Sequence, residues 1–370
     1  MSKNIHSQRL VSLDALRGFD MLFIMGADDL FHELSKITNW QVFNVLSEQM
    51  DHATWNGFRA YDMIFPLFLF ITGVATPFSI GREIEKGNSK QKLLFRIFKR
   101  ACILFLLGFI YNNGLQHIYP LEKLRFPSVL GRIGIAYLFA NFIYLYSKEK
   151  YHLIWFISLL LGYWLLLRFT AAPGFHPGDF SMSGNFVSYI DRMFIPGSLY
   201  LNTHDPEGIL STIPAVSTGL LGIMTGSYLR NNSSDSSQKI KTLLVTGLIL
   251  IAIAQLWNLD FPINKNLWTS SFALQAGGIS IILLTIFYFI IDIKGYQKWA
   301  YFFKVIGMNS ILIYMSAVFI DWEFTGKSFF GWLADLFGTP FDAIIIIFSI
   351  MTVKWLFLNF LYKKKIFLKV

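Results

Sequence analysis

The sequence has few charged residues. Only 15% of its 370 residues are Asp, Glu, Lys or Arg, against roughly 25% in an average soluble domain. Hydrophobic residues make up 54% of the chain, and the mean hydropathy is +0.49. Apolar runs of about 20 residues recur, which is the length needed to cross a hydrocarbon core of ~30 Å. The sequence therefore predicts an all-α, polytopic integral membrane protein, because the short alternating segments of a β-barrel are not evident.

Cysteine is almost absent. The single Cys102 excludes an intramolecular disulfide. A cleavable signal pattern is also missing, because the first apolar run carries charges and no small-residue cleavage site follows a clean apolar stretch. Metal ligands are sparse: Asp28, His32 and His52 lie at irregular spacing, so we expect no metal.

Ten apolar segments are predicted to span the membrane. The formal net charge is +9, but the basic residues lie mainly in short connections, where they set orientation rather than bind nucleic acid. Twenty Lys and Arg residues fall on the side of both termini and seven on the opposite side. The positive-inside rule then places both termini in the cytoplasm and His52 outside it. The predicted spans are 12–30, 60–80, 93–112, 128–146, 152–170, 208–229, 240–258, 268–291, 300–320 and 341–361.

Several charged residues fall within these predicted spans, where an unpaired charge costs at least ~2.5–3.5 kcal/mol. Arg17 is three residues after Asp14, so the two either form a local ion pair or place Arg17 in a polar cavity that binds an anion. Arg132 lies one turn into its span, where its side chain either reaches back to the interface or holds a phosphate at the helix start. Lys354 fits an interfacial or packing role better.

His52 is the clearest catalytic candidate. A histidine in a loop at the membrane edge is often only a polar interfacial group. Here, however, Asp51 precedes it, Asn56 follows one turn later, and Asp62 lies near the start of a span. An imidazole near a carboxylate is suited to general-base chemistry at physiological pH.

Seven segments resemble the heparan-α-glucosaminide N-acetyltransferase family, which comprises lysosomal transmembrane acetyltransferases and their bacterial relatives. They occur in the family's order and extend over nearly the whole chain. The segments are RLVSLDALRGF (9–19), HATWNGFRAYDMIFPLFLFITG (52–73), FPSVLGRIGIAY (126–137), DPEGILSTIPAVSTGLLG (205–222), PINKNLWTSSFAL (262–274), GMNSILIY (307–314) and YKKKIF (362–367).

The resemblance implies transfer of an acetyl group from cytosolic acetyl-CoA to the amine of a glucosamine on the far side of the membrane. It assigns the catalytic histidine to His52, either as a base or as an acetyl carrier. A family asparagine ten residues after the Arg-Gly pair corresponds to Asp28 in this sequence. An asparagine amide can donate a hydrogen bond, whereas an ionised carboxylate can only accept one. The lysosomal members carry an N-terminal luminal domain and a leading span, which we do not expect here.

The other site predictions follow from this chemistry. Asp62 would orient the histidine, and Asn56 would position the thioester, although interhelical hydrogen bonding is an equally simple role for an amide. The candidates for binding acetyl-CoA are Arg17, Arg96, Arg100, Arg132 and Asn309. The candidates for binding the acceptor are Trp55, Asp205 and Glu207, and a helix N-cap is the alternative role for Asp205.

We thus expect residues 1–370 to form a single transmembrane acyltransferase domain in the cytoplasmic membrane. Its partners would be the lipid bilayer, acetyl-CoA and an amino-sugar acceptor, and the family also suggests a homodimer. The main rival is a secondary transporter that exports a sugar or lipid-linked precursor, since charged residues in spans fit transport equally well. A non-catalytic scaffold would leave His52, Arg17 and Arg132 unexplained.

Overall fold

The computed structural model describes residues 10–114, 120–231 and 235–368, which form α-helices joined by short 3-10 and π-helical turns. The helices, numbered along the chain, are α1 Val11–Leu22, α2 Asp28–Thr38, α3 Gln41–Gln49, α4 Ile64–Glu85, α5 Lys90–Asn113, α6 Val129–Tyr146, α7 His152–Phe169, α8 Phe186–Phe194, α9 Thr212–Arg230, α10 Ser236–Trp257, α11 Ser270–Phe287, α12 Ala300–Met308, α13 Ser310–Phe319, α14 Trp322–Phe337 and α15 Asp342–Lys363.

The predicted all-α membrane architecture is confirmed. Six helical segments among the described residues are long and apolar enough to cross a membrane, and the pair α12–α13 makes a seventh if it counts as one span. Helices also cover the remaining predicted spans, as α1, α5 and α9. Charges in α1 and at the start of α5 lower their hydropathy. The six segments are Ala60–Glu85, Val129–Tyr146, Glu149–Phe169, Ser236–Trp257, Ser270–Ile293 and Asp342–Lys363.

Two predicted spans are interrupted. The first leaves regular α-geometry in a π-helical turn, Phe23–Ala27, where Gly26 has a φ of 121°. The span predicted at 300–320 is bent by 62° between α12 and α13. Asn309 lies at this bend, and its side chain binds backbone near the C-terminus: Nδ2 donates to Ile366 O at 3.0 Å, and Leu368 N donates to Oδ1 at 3.0 Å. The bend therefore depends on contacts with a distant segment.

The centre of the bundle is packed through glycine. A Cβ atom added to Gly73 in α4 would lie 2.1 Å from the Gly219 carbonyl oxygen in α9. One added to Gly222 would lie 2.2 Å from the Phe70 carbonyl oxygen. Small residues let two membrane helices approach backbone to backbone, so α4 and α9 form one closely packed pair in which no side chain separates the main chains at these points.

The connections divide between two ends of the bundle. Residues 50–60, 120–128, 195–211 and 258–269 meet around His52, and we call this the His52 end. The opposite end contains the turns between α4 and α5 and between α9 and α10. There Arg230 donates to Glu85 at 2.5 Å, and Lys239 donates to Leu229 O at 2.8 Å. Helices α3 and α8 lie between predicted spans, in segments where no helix was predicted. Both have amphipathic sequences, which suit a helix at the edge of a bundle.

Candidate active site

His52 is held by a buried carboxylate. It lies in the segment before a 3-10 turn, Ala60–Met63, that carries Asp62 inward at the start of α4. Asp62 Oδ1 lies 2.8 Å from His52 Nδ1, and Oδ2 accepts the Arg59 N–H at 3.0 Å. The Asp62 side chain is 1% exposed and that of His52 is 51% exposed. A carboxylate partner on Nδ1 favours the tautomer whose Nε2 carries a lone pair, so Nε2 can serve as a base or a nucleophile.

Lys265 completes the cluster, and the sequence analysis missed it. Its Nζ lies 2.9 Å from His52 Nδ1, 3.0 Å from Nε2 and 3.6 Å from Asp62 Oδ1. Burial lowers the pKa of the Lys265 ammonium, and the Asp62 carboxylate partly opposes this effect. Two features could have identified it: Lys265 belongs to the PINKNLW segment, and it is one of few lysines on its predicted side of the membrane.

Trp55 and Asn56 fasten the histidine segment to its neighbours. Trp55 Nε1 donates to Phe180 O at 2.8 Å. Asn56 Oδ1 accepts from Asn264 Nδ2 at 3.0 Å, next to the bond from Gly57 N to Ile263 O at 2.8 Å. These contacts tie the segment that carries His52 to the segment that carries Lys265. Trp55 and Asn56 therefore help to hold the cluster in place. The predicted role of Asn56 at the thioester and that of Trp55 at the acceptor stay predictions.

Asp28 reaches the site through an aromatic side chain. Its carboxylate lies near the Tyr61 side chain, and the Tyr61 ring lies 4.9 Å from the His52 ring, measured between centroids. Asp28 begins α2, directly after the π-helical turn. Asp28 thus places an acceptor beside Tyr61, at the position where the resemblance predicts an asparagine.

A cavity of about 530 Å³ opens beside His52. It contacts Lys265 and Glu207 at the His52 end and passes between α1, α4, α6 and α13. Its deeper lining is apolar and aromatic, with Tyr111 and Tyr314 stacked at 4.2 Å. The lining residues that fix its course are His52, Tyr61, Lys265, Glu207, Met21, Ile24, Phe68, Ile133, Ile311 and Tyr314.

The predicted acceptor-binding carboxylates form an ion cluster with Arg125. Asp205 accepts from Arg125 Nε at 2.9 Å and from Nη2 at 2.8 Å, and Glu207 accepts from Nη2 at 2.5 Å. Burial alone would raise the pKa of Asp205, but its hydrogen bonds from Arg125 outweigh that effect and lower it. Burial and the neighbouring Asp205 charge raise the pKa of Glu207. Asp205 is thus occupied by Arg125, whereas Glu207 also lines the cavity.

The five candidates for acetyl-CoA binding are not brought together in one cluster. Arg17 forms the predicted ion pair with Asp14, with 3.6 Å between Nη1 and Oδ1. It lies one helical turn before Met21, so it continues the cavity-lining face of α1 toward the opposite end. Arg100 lies three turns before Tyr111 on α5, stacks on Tyr137 at 4.6 Å, and leaves Nε without a hydrogen-bond partner among the described residues. Arg96 lies a turn beyond Arg100 and donates to Glu83 at 3.2 Å.

Arg132 and Asn309 lie elsewhere. Arg132 is 1% exposed and donates from Nη2 to Ser211 Oγ and, at 3.2 Å, to Gly208 O. Arg132 does not line the cavity; it contacts a second, lateral groove between α6, α7 and α9. Asn309 is engaged by the segment near the C-terminus. Over the described parts of the chain, no three His, Cys, Asp or Glu side chains are grouped to hold a metal ion, and metal-independent chemistry stays a prediction.

Comparison with known proteins agrees with this arrangement. A model of the family described as heparan-alpha-glucosaminide N-acetyltransferase, catalytic, matches residues 9–257. The chain belongs to this family. The matched region includes the His52–Asp62 pair and ends before Lys265, so the lysine belongs to the part of the cluster that the family model does not cover.

Two relatives carry the family's name. The human heparan-alpha-glucosaminide N-acetyltransferase is 29% identical over 374 residues, which covers 86% of this chain and 55% of the human protein. The mouse heparan-alpha-glucosaminide N-acetyltransferase is 30% identical over 375 residues, covering 86% and 56% respectively. The chain therefore spans about half the length of the curated relatives it matches.

Proposed function

We propose that this protein is a transmembrane N-acetyltransferase that moves an acetyl group from acetyl-CoA to the amine of an amino sugar at the His52 end. The observation that carries this function is the His52–Asp62–Lys265 cluster at the mouth of a 530 Å³ cavity. Membership of the acetyltransferase family supplies the reaction class. We treat residues 1–370 as a single transferase domain.

Ten spans with both termini in the cytoplasm complete the proposal, in the cytoplasmic membrane. A helix or bent helix pair covers each predicted span. The segments that meet around His52 all belong to connections predicted on the same side, and the excess of Lys and Arg lies on the other side. The acceptor would then meet His52 from outside the cell, while acetyl-CoA would arrive from the cytoplasm.

Acetyl-CoA would supply an activated acyl carbon to this cavity. The narrow apolar and aromatic lining suits an extended pantetheine arm, and the unpartnered Arg100 Nε marks a cation with spare donor capacity. Arg17 and Arg100 lie on the helix faces that continue the cavity toward the opposite end, so they would hold the phosphates there, with Arg96 beside them.

His52 has two possible parts in the transfer. As a base, Nε2 accepts the proton that the acceptor amine loses when its nitrogen attacks the thioester carbon. The C–S bond then breaks, and the imidazolium returns this proton to the leaving thiolate, so that CoA is released as the thiol. As a nucleophile, Nε2 attacks the thioester carbon and expels CoA as the thiolate; the acceptor amine then takes the acetyl group from the acetyl-imidazolium and gives up a proton, which the thiolate accepts. In both routes Asp62 fixes the imidazole, and the Lys265 ammonium stabilises negative charge that develops on the acyl oxygen.

Reconstituted protein tests the function directly. Wild-type protein in sealed vesicles, supplied with radiolabelled acetyl-CoA and glucosamine, should yield labelled N-acetylglucosamine, identified by mass spectrometry. Unmodified glucosamine crossing the membrane without any dependence on acetyl-CoA would instead identify a transporter. Label retained on the protein when acceptor is omitted, and absent from His52→Ala, would establish the covalent route.

A further inference from the structure

A second opening lies on the side of the bundle, separate from the cavity. This lateral groove has a volume of about 1100 Å³ and lies between α6, α7 and α9. It follows α6 from Pro127 to Lys148. The 18 residues of α6 rise about 27 Å at 1.5 Å per residue, which is close to the hydrocarbon thickness of a bilayer. The groove is therefore long enough to accommodate an extended hydrocarbon chain.

The lining of the lateral groove is almost entirely apolar. Its middle is formed by side chains from three helices: Ile135, Phe139, Phe142, Trp155, Leu159 and Val216. Polar groups lie at both of its ends: Arg132 and Glu207 at the upper end, near His52, and Ser147, Lys148 and Tyr151 at the opposite end. A molecule that fits this surface has a long apolar part, and a polar head at the Glu207 end would lie beside the cavity.

The upper end of the groove meets the cavity that contains His52. Glu207 lines both openings, and its neighbours Pro206 and Gly208 line the cavity and the groove respectively. The start of α6 divides in the same way, since Leu130 and Ile133 contact the cavity and Gly131 and Arg132 contact the groove. A single turn of chain thus separates the hydrocarbon-lined groove from the cavity that His52 also lines.

The junction is rich in charged groups. Asp191, Asp205 and Glu207 surround the turn, together with the guanidinium groups of Arg125, Arg132 and Arg192. Asp191 is fully buried: its Oδ1 accepts the Ile209 N–H at 2.8 Å, while its Oδ2 has no partner among the described residues. Burial raises the pKa of Asp191 to about 6, so the carboxyl is largely ionised at neutral pH. Glu207, which lines both openings, is the carboxylate that an amine passing this turn would meet.

We propose that the acceptor is an amphiphilic amine, with its hydrocarbon chain in the lateral groove and its amine-bearing sugar head passing Glu207 to reach His52. This inference rests on the proposed acetyl transfer and specifies its substrate class as a lipid-linked amino sugar. The chain enters sideways from the bilayer, so the acceptor stays anchored in the membrane throughout the reaction.

Acceptors of graded chain length test this assignment. Protein in nanodiscs is given acetyl-CoA with glucosamine, octyl glucosaminide or dodecyl glucosaminide, and kcat/KM is measured for each. Partitioning into the bilayer raises the apparent kcat/KM of any alkylated acceptor, so the groove is isolated by comparing variants. Ile135→Trp fills the groove, and Leu248→Trp places the same bulk on the exposed face of α10. We expect the ratio of dodecyl to glucosamine kcat/KM to fall about tenfold in Ile135→Trp alone.

A dodecyl glucosaminide with a terminal diazirine adds a readout that does not need turnover. Photolabelling concentrated on α6, α7 and α9, and reduced in Ile135→Trp, supports the inference. Labelling spread evenly over all lipid-facing helices, α10 included, is the behaviour of a bulk lipid and overturns it. Equal ratios in both variants overturn it too and leave the proposed function standing. Absence of acetylation for every acceptor, in protein that binds acetyl-CoA, overturns the proposed function together with the inference.

Discussion

The two ends of the bundle differ in how their polar groups are partnered. At the His52 end, each charged side chain of the cluster has one or more short contacts, as His52 has with Asp62 and Arg125 has with Asp205. Toward the opposite end, Arg96 is half exposed and Arg100 keeps an unpartnered Nε. His52, Asp62 and Lys265 hold one another before a substrate arrives, whereas Arg100 keeps a donor for a ligand. On this basis we propose the reaction at the His52 end and phosphate binding at the opposite end.

The largest effect should come from the imidazole. His52→Ala removes the base or nucleophile, and general-base groups typically contribute about 10²–10⁴-fold. We expect acetyl transfer to fall by about 10³-fold with near-normal acetyl-CoA binding. His176→Ala, which alters an exposed histidine in another loop, serves as the control and should retain full activity. Comparable rates in the two variants would remove His52 from the mechanism.

The carboxylate that holds the imidazole should matter next. Asp62→Asn keeps the size of the side chain but loses the charge that favours a proton on His52 Nδ1. We expect kcat to fall about 10²-fold, because a histidine in the wrong tautomer cannot present a free Nε2, while KM changes little. Initial-rate kinetics separate the two parameters. A rise in KM alone would show that Asp62 serves binding and not orientation.

The ammonium beside the histidine gives a pH-dependent prediction. Lys265→Met should lower kcat about tenfold through loss of an oxyanion donor. The pKa of Lys265 is lowered by burial, so activity that needs its ammonium is present at lower pH and is lost as pH rises through that lowered value. Lys265→Arg keeps its charge at higher pH and should move the basic limb of the rate profile upward. An unmoved limb in Lys265→Arg would assign that limb to another group.

The opposite end should respond through binding alone. Arg17→Gln and Arg100→Gln each remove a cation proposed to meet the phosphates of acetyl-CoA. We expect KM for acetyl-CoA to rise about fivefold in each and to become less sensitive to salt, with KM for the acceptor unchanged. Lys294→Gln, in the turn after α11, is a charge-matched control. If all three variants behave alike, the effect reflects overall charge and not a binding site.

The smallest effect should be on stability. Asn309→Ala removes two hydrogen bonds that join the bend between α12 and α13 to Ile366 and Leu368. One such bond contributes about 1 kcal/mol, so the variant should unfold a few degrees lower in a thermal-shift assay and keep its kcat. A loss of kcat with unchanged thermal stability would instead support the predicted role of Asn309 at the thioester.

Hydropathy was enough to place a helix at every predicted span, because a bilayer demands long apolar runs. The pairing of His52 with Asp62 was also predictable, since both lie in one short segment. Lys265 was missed because it lies 213 residues from His52 along the chain, and only packing of α4 against α11 brings them together. The partner of Asp205 was missed for the same reason: Arg125 is 80 residues away. The bend at Asn309 depends on contacts with backbone near the C-terminus, which periodicity does not reveal.

The glycine contact between α4 and α9 has a consequence for how substrates come and go. Where two main chains are in direct contact, no side chains lie between the helices to allow sliding. We therefore expect α4 and α9 to move as one rigid body. Any opening toward either side of the bilayer would then come from the helices around this pair, above all those interrupted at Gly26 and Asn309. We therefore expect the α4–α9 pair to stay fixed while the interrupted helices around it move, so that the reaction centre keeps its position.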